Sequence, residues 1–307
     1  MSLETFPYGN HDLQTVTIAK PYPARAPLHA ENTDTENGYW VILIHGGAWR
    51  DPTQTSTTYL APALRILSSS ESLNSQSKHI TGLASISYRL SAHPSHAQDT
   101  NTIESHLRNA KHPEHINDIQ LALSFLQTKY MFGERYVLVG HSCGATLAFQ
   151  AVMRSLATNL EKDGEGHGDG YVAPLAILGM AGIYDLRLLR DSHSEISAYQ
   201  EFIEGAFGKD EGVWDAASPG VVKGEEGVEG WKEGRVVVLA HSDEDELCDV
   251  AQSEKMKEFF GEWGKKSEKR EVQMLPIKGK HDEAWEKGEE LARGILFTIE
   301  RLQSLGI

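Results

Sequence analysis

The feature that most constrains this chain is the pentapeptide at residues 140–144, which reads Gly-His-Ser-Cys-Gly. It follows an apolar, β-branched run at residues 136–139 and precedes a helical pattern at residues 145–149. A strand, a sharp turn and a helix in this order form a nucleophile elbow, in which the serine backbone is strained. Glycines two positions before and after the serine remove side chains that would collide with the neighbouring strand and helix. The pattern therefore predicts that Ser142 presents its hydroxyl above a β-sheet.

Short β-branched runs alternate with helical patterns along the rest of the chain. This alternation predicts an α/β fold, with a mainly parallel central sheet flanked by helices on both faces. The predicted strands are residues 15–18 (an edge strand), 40–44, 82–88, 136–139, 175–180, 235–240 and 271–276. The predicted helices include residues 116–130, 253–263 and 283–303.

We predict that residues 1–307 form a single domain with a small cap-like insertion at about residues 185–230. Two further segments have the composition of insertions. Residues 91–114 are polar and rich in histidine and proline, and residues 159–170 are rich in glycine and charge. None of these segments has enough apolar residues to fold alone.

The balance of charge argues against nucleic acid and anionic membranes as partners. The 307 residues include 29 basic and 44 acidic side chains, which gives a formal net charge of −15. Such a field repels phosphate-rich surfaces. The two cysteines are too few for a disulfide framework, and residues 1–7 lack the basic and apolar regions of a signal peptide. We therefore expect a cytoplasmic protein.

A catalytic serine requires a base to accept its proton and an acid to orient that base. In the architecture of the elbow, the acid and then the base follow the serine along the chain, after late strands. His281 follows the last predicted strand and is the predicted base. The loop after residues 235–240 carries four consecutive carboxylates, of which Asp243 and Asp245 are both candidate acids. The deeper loop position of Asp245 favours it.

A glycine pair follows the predicted strand at residues 40–44, within the run His-Gly-Gly-Ala-Trp at residues 45–49. A tetrahedral oxyanion needs two or three preorganised backbone N–H donors, and glycines allow the backbone to approach a ligand closely. We predict an oxyanion hole formed by the N–H groups of Gly46, Gly47 and Cys143. A simple turn at the end of the strand is the alternative for the glycine pair.

Histidine pairs at His93/His96 and His112/His115 have spacings that can hold zinc. Both pairs lie in a polar segment that contains prolines, and no H-E-x-x-H pattern occurs in the chain. Solvated side chains are the simpler interpretation. We predict no metal and no cofactor.

The run at residues 45–49, the elbow with Cys143 after the serine, and His-Ser-x-x-Asp-Glu-Leu at residues 241–247 together resemble the fungal kynurenine formamidases. These are α/β-hydrolase-fold enzymes similar to hormone-sensitive-lipase-type esterases. The resemblance extends over roughly the whole chain. It implies the α/β-hydrolase fold and hydrolysis of N-formyl-L-kynurenine to L-kynurenine and formate, a step of tryptophan catabolism towards NAD.

By the same resemblance, Ser142 is the nucleophile, His281 the base and Asp245 the orienting acid, and a homodimer is expected. An aromatic substrate suggests ring-stacking walls, for which Trp49, Tyr184 and Trp285 are candidates; core packing is the alternative for each. A general short-chain carboxylesterase would use the same catalytic residues. A catalytically inactive, ligand-binding member of the fold is a third reading, against which the intact serine, acid and base argue.

Overall fold

A single twisted sheet forms the centre of the protein in the computed structural model, which describes residues 2–20, 38–69, 77–157 and 170–307. Apart from Gly170, the glycine-rich segment predicted at 159–170 lies outside the described residues. Within them, eight strands are ordered β1-β2-β4-β3-β5-β6-β7-β8. Their bounds are β1 Ser2–Pro7, β2 Thr15–Lys20, β3 Tyr39–Ile44, β4 Ile80–Ile86, β5 Tyr136–His141, β6 Ala176–Met180, β7 Val236–His241 and β8 Glu271–Pro276.

The sheet is mainly parallel, as the sequence predicts. Strands β4, β3, β5, β6, β7 and β8 pair in parallel, whereas β1 and β2 add antiparallel pairings at one side. The prediction of residues 15–18 as an edge strand is wrong, because β1 pairs with β2 along its outer side. Most residues of β1 are exposed. A strand held mainly by backbone hydrogen bonds leaves little hydrophobic pattern in the sequence, so periodicity did not reveal it.

Helices cover both faces of the sheet. Their bounds are α1 Ser56–Leu67, α2 Glu114–Tyr130, α3 Cys143–Gln150, α4 Leu186–Ser192, α5 Ser197–Phe207, α6 Glu211–Ala217, α7 Ala251–Phe259, α8 Gly261–Lys265, α9 Glu283–Glu286 and α10 Glu289–Ser304. The predicted helix at 253–263 is two helices, α7 and α8. The predicted helix at 283–303 is also divided, because Gly288 between α9 and α10 has a φ of 85°.

Alternate residues of the parallel strands point to opposite faces and build two apolar layers. Val41 and Val139 pack with α1 and α10 in one layer, while Ile42 and Leu138 pack with α2 and α3 in the other. A parallel sheet buried on both faces requires such near-continuous apolar strands. None of the helices in the described part of the chain has the length and hydropathy of a membrane-spanning helix.

The parallel topology brings four loops to one edge of the sheet. Ser142 follows β5, and the carboxylate loop follows β7. His281 lies beyond the end of β8, and the glycine pair follows β3. The carboxyl ends of parallel strands share an edge, which is where open α/β sheets bind ligands. The candidate residues are therefore brought together by strand order, although up to 235 residues separate Gly46 from His281 in the chain.

Candidate active site

Ser142 occupies the strained turn that the sequence predicts. Its φ of 55° and ψ of −123° lie outside the regions that a non-glycine residue adopts freely. Its N–H donates to the Met180 carbonyl at 2.9 Å, which ties the turn to the end of β6. A Cβ at Gly140 would collide with the Gly144 carbonyl, and one at Gly144 would collide with the Ile44 carbonyl. Both elbow glycines are required because backbone atoms occupy the space.

The structure brings His281 and Asp245 into direct contact. His281 Nδ1 lies 2.8 Å and 3.0 Å from the two oxygens of the Asp245 carboxylate. Because an ionised carboxylate only accepts hydrogen bonds, Nδ1 carries the proton and Nε2 is left as an acceptor. The N–H groups of Leu247 and Cys248 also donate to Asp245 Oδ1, each at 2.9 Å. Asp243, the other candidate acid, is exposed to solvent.

A second histidine, His241, also contacts the Asp245 carboxylate. His241 Nε2 lies 3.3 Å from Asp245 Oδ2 and 2.7 Å from the Cys248 carbonyl, and its Nδ1 lies 2.7 Å from the Ser253 hydroxyl. Burial by itself would raise the pKa of Asp245, but hydrogen bonds from His241 and His281 outweigh burial and lower it. The carboxylate is therefore ionised at neutral pH. The histidine that opens the run at residues 241–247 was the sequence signal for this contact.

Hydrogen bonds hold the backbone of His281 at both its carbonyl and its N–H. His141 Nε2 lies 3.1 Å from the His281 carbonyl and donates to it, and the Glu246 carboxylate accepts the His281 N–H at 3.2 Å. Burial lowers the pKa of His141, so its ring stays neutral. The two imidazole centroids are 4.6 Å apart. His141 therefore positions the neighbouring histidine, as its place in the elbow suggests.

The loop at residues 45–49 leaves donors free above the end of β3. Within the described residues, no protein atom accepts the N–H groups of Gly46 and Gly47. Gly47 has a φ of 96°, a conformation that favours glycine. The Cys143 sulfur accepts a hydrogen bond from the N–H of Trp49 at 3.3 Å, so the side chain of Cys143 anchors the loop. Burial raises the pKa of this thiol to about 11, which keeps it protonated.

Two buried histidines near this loop form hydrogen bonds as neutral side chains. His45 lies under the glycine pair, where its Nδ1 is 2.9 Å from the Gly46 carbonyl and its ring stacks on Tyr88 with centroids 4.5 Å apart. His115 in the first turn of α2 has its Nε2 3.0 Å from the Ser91 hydroxyl. Burial lowers the pKa of His45 to about 4 and that of His115 to about 3.

These histidines predict that the protein loses stability as the pH falls from about 6.5 towards 4. In that range the unfolded chain protonates both rings, near their usual pKa of about 6.5, while the folded protein does not. Each of His45 and His115 should remove roughly 2 kcal/mol of stability at pH 5 relative to pH 8. Urea unfolding at the two pH values should show a smaller pH dependence for His115→Gln than for the wild type. The matched control is His96→Gln at an exposed position; equal pH dependence in all three proteins would contradict the prediction.

Ser142 and His281 line one cavity of about 400 Å³. No hydrogen bond joins the Ser142 hydroxyl to the His281 imidazole in this structure; such catalytic hydrogen bonds often shorten only when substrate binds. The volume falls within the roughly 300–1,000 Å³ of typical small-molecule sites. The apolar wall comes from the residues around the insertion and the carboxylate loop: Ile183, Leu189, Ile196, Ala198, Tyr199, Phe202 and Leu247.

The structure corrects the predicted aromatic walls. Trp49, Tyr184 and Trp285 do not line this cavity. They are buried beside other rings instead, with Trp49 against Phe207, Tyr184 against Phe149 and Trp285 against Tyr59.

Helix α5 of the insertion supplies the aromatic wall through Tyr199 and Phe202. These two residues are three positions apart, so they share one face of a helix. That spacing within residues 197–207 was the available sequence signal.

Metal-binding geometry is found at one place in the described part of the chain. One ligand atom from each of His141, His281 and Asp282 lies within 4.8 Å of the others. A metal on the free nitrogen of His281 would occupy the atom that Asp245 prepares as a proton acceptor, so we assign no metal there. The rings of His93 and His96 are 4.7 Å apart in the loop before α2.

The comparisons with known proteins place this chain in a family. The BD-FAE family model matches residues 28–260. The chain is 39% identical, over 92% of its length, to the kynurenine formamidase-like hydrolase fscH of Fusarium equiseti, of which the match covers 89%. It is 35% identical, over 83% of its length, to the kynurenine formamidase avaC of Aspergillus versicolor, of which the match covers 87%. The chain belongs to the kynurenine formamidase family. As a member of that family it is a hydrolase that acts on a small molecule.

Solved structures agree with the fold of this family. Esterase B from Lactobacillus rhamnosis superposes with a TM-score of 0.64 at 17% identity, covering 99% of this chain and 86% of the esterase. The esterase Est2 of Thermogutta terrifontis superposes with a TM-score of 0.62 at 16% identity, covering 99% and 92% of the two chains. These likenesses confirm the predicted α/β-hydrolase fold.

Proposed function

We propose that this protein hydrolyses N-formyl-L-kynurenine to L-kynurenine and formate, in tryptophan catabolism towards NAD. The observation that carries the chemistry is the buried Asp245–His281 pair, whose histidine lines the same cavity as the strained Ser142. The names of the relatives supply the substrate, since two of them that share 35–39% identity are called kynurenine formamidase or kynurenine formamidase-like.

The reaction begins with proton transfer from Ser142 to Nε2 of His281. Asp245 holds the proton on Nδ1, so Nε2 is the nitrogen that can accept one. The serine oxygen then attacks the formyl carbon, and the carbonyl oxygen becomes an oxyanion. The adjacent carboxylate balances the positive charge that develops on the imidazole.

The oxyanion is stabilised by the N–H groups of Gly46, Gly47 and Cys143. Two of these N–H groups have no acceptor among the described residues, and the third belongs to the first turn of α3, where helical N–H groups lack partners within the helix. The positive end of the helix dipole adds to the stabilisation.

Collapse of the tetrahedral intermediate breaks the carbon–nitrogen bond. His281 returns the proton to the nitrogen, so that L-kynurenine leaves as a neutral aryl amine and the formyl group stays on Ser142. Water then attacks the formyl ester while His281 removes its proton. The ester bond breaks as the proton returns from His281 to the serine oxygen, and formic acid leaves and ionises to formate in solution. An aryl amine is a better leaving group than an alkyl amine, so this machinery suits an aryl formamide.

The test is formate release from N-formyl-L-kynurenine, measured beside p-nitrophenyl acetate hydrolysis and with Ser142→Ala as the control. We expect kcat/KM on the order of 10⁴ M⁻¹s⁻¹ or above for the formamide. The variant should release no formate above the uncatalysed rate.

Cleavage of the ester alone, still dependent on Ser142, would reject the formamide and indicate a general carboxylesterase. Failure of both substrates, together with no labelling of Ser142 by an organophosphate, would indicate an inactive ligand-binding protein.

The organisation of the protein around this reaction is part of the proposal. We infer one catalytic domain over residues 1–307, with residues 185–230 as a cap over the site and a homodimer in the cytoplasm. Helix α5 of that segment lines the cavity, which supports the cap assignment. The net charge of −15 supports the absence of nucleic acid and membrane among its partners.

A further inference from the structure

The cavity is lined by a cationic side chain as well as by acidic ones. Arg50 comes directly after the loop at residues 45–49 and lines the cavity; it is the one Arg or Lys that does so within the described residues. Its side chain is only 14% exposed. The guanidinium lies 5.7 Å from the centroid of the Phe202 ring on α5. Its position is therefore fixed by packing as well as by charge.

The existing partner of Arg50 is one that a ligand can replace or join. Nη1 of Arg50 donates to Glu201 Oε1 at 2.8 Å, and the Glu201 side chain is 55% exposed. Ion pairs open to solvent contribute about 0–1 kcal/mol. Within the described residues, the other N–H groups of this guanidinium have no acceptor. A planar guanidinium can bind a carboxylate through two parallel hydrogen bonds.

Charge around the cavity decides where an anionic group of a ligand would lie. Glu246 and Asp282 line the cavity beside His281, and Asp51 also lines it, with its Oδ1 accepting hydrogen bonds from the Thr53 N–H and hydroxyl. Glu246 and Asp282 would repel a carboxylate from the neighbourhood of His281, whereas Arg50 would attract it. Arg89, the other arginine near this edge, is fully engaged by Asp118 and Glu114 at 2.7 and 2.6 Å and is anchored to α2 instead.

We propose that Arg50 binds the carboxylate of an amino-acid ligand, while Glu201 holds the guanidinium in place when the cavity is empty. The inference rests on the proposed function, since it takes the kynurenine carboxylate as the ligand group. Arg50 would then give the protein its selectivity for an aryl formamide that carries a carboxylate. Simple aryl formamides and esters would bind without this contact.

The experiment compares binding of L-kynurenine and of kynuramine, the same molecule without the carboxylate, by isothermal titration calorimetry. Binding of these amines requires no turnover. We expect the wild type to bind L-kynurenine about tenfold more tightly or better, because hydrogen bonds between charged groups are worth that much. Arg50→Gln should reduce the ratio to within about twofold, and Arg50→Lys should retain part of it. The matched control, Arg65→Gln, removes an exposed arginine on α1 that does not line the cavity and should preserve the ratio.

Equal binding of both ligands by the wild type, or an unchanged ratio in Arg50→Gln, would overturn the proposal. The formate assay separates this outcome from failure of the proposed function. A carboxylate preference that depends on Arg50, without formate release, would support Arg50 as the carboxylate-binding residue and reject the formamidase activity. Formate release by a protein whose binding ratio does not change in Arg50→Gln would support the formamidase activity and reject the role of Arg50.

Discussion

Replacement of Asp245 by Asn is expected to lower kcat for formate release about 10⁴-fold. The Asn amide can donate to His281 Nδ1, which favours the tautomer with the proton on Nε2. That nitrogen could then no longer accept the Ser142 proton, and the imidazolium would lose the adjacent negative charge. Because kcat reports the bound state, the loss should appear there and not in KM alone.

The control for this variant is in the same loop. Asp243→Asn removes the same charge from an exposed position two residues away and should leave kcat within about twofold. Circular dichroism and thermal unfolding would show that both variants are folded. Equal loss of activity in the two variants, or loss only in Asp243→Asn, would show that the acid has been assigned to the wrong residue.

Replacement of Gly140 by Ala is expected to destabilise the protein by roughly 3 kcal/mol or more and to remove its activity. The new methyl group would overlap the Gly144 carbonyl and Ala145 Cα. These are backbone atoms of the elbow, which cannot move by a change of rotamer. Relief of the clash would push α3 away from β5 and displace Ser142. Urea unfolding and the formate assay measure the two effects.

A glycine in open space provides the matched control. Gly205 lies inside α5, where an added Cβ meets nothing within 4 Å. Gly205→Ala should raise the free energy of unfolding by about 0.5–1 kcal/mol, because alanine favours the helix. A stable and active Gly140→Ala protein would mean that the elbow tolerates a side chain at that position, against the crowding described above.

Local patterns in the sequence were sufficient for the elements that have strong local requirements. The apolar run before Ser142 and the glycines on either side of it predicted the elbow, because the turn from strand to helix is specified by residues adjacent in the chain, although the Ile44 carbonyl of β3 is what fills the space beside Gly144. Strand β8 was predicted with its observed bounds, residues 271–276. Helix α1 was not predicted: Pro62 lies inside it, and the capping box at Thr55 and Thr58 begins it. A proline usually argues against a helix interior, and here packing on β3 and β4 outweighs that preference.

The sequence by itself determined the fold class and the chemical types at the site: a strained serine, a histidine beyond the last strand, a glycine pair and a loop of carboxylates. Only the tertiary structure decided which carboxylate meets His281, that His241 joins that pair, and that Tyr199 and Phe202 line the cavity in place of Trp49, Tyr184 and Trp285. The physical reason is the separation along the chain over which each effect acts. Strain and periodicity act between neighbours in the chain, whereas the contact of a carboxylate with an imidazole 36 residues away depends on how β7 and β8 pair.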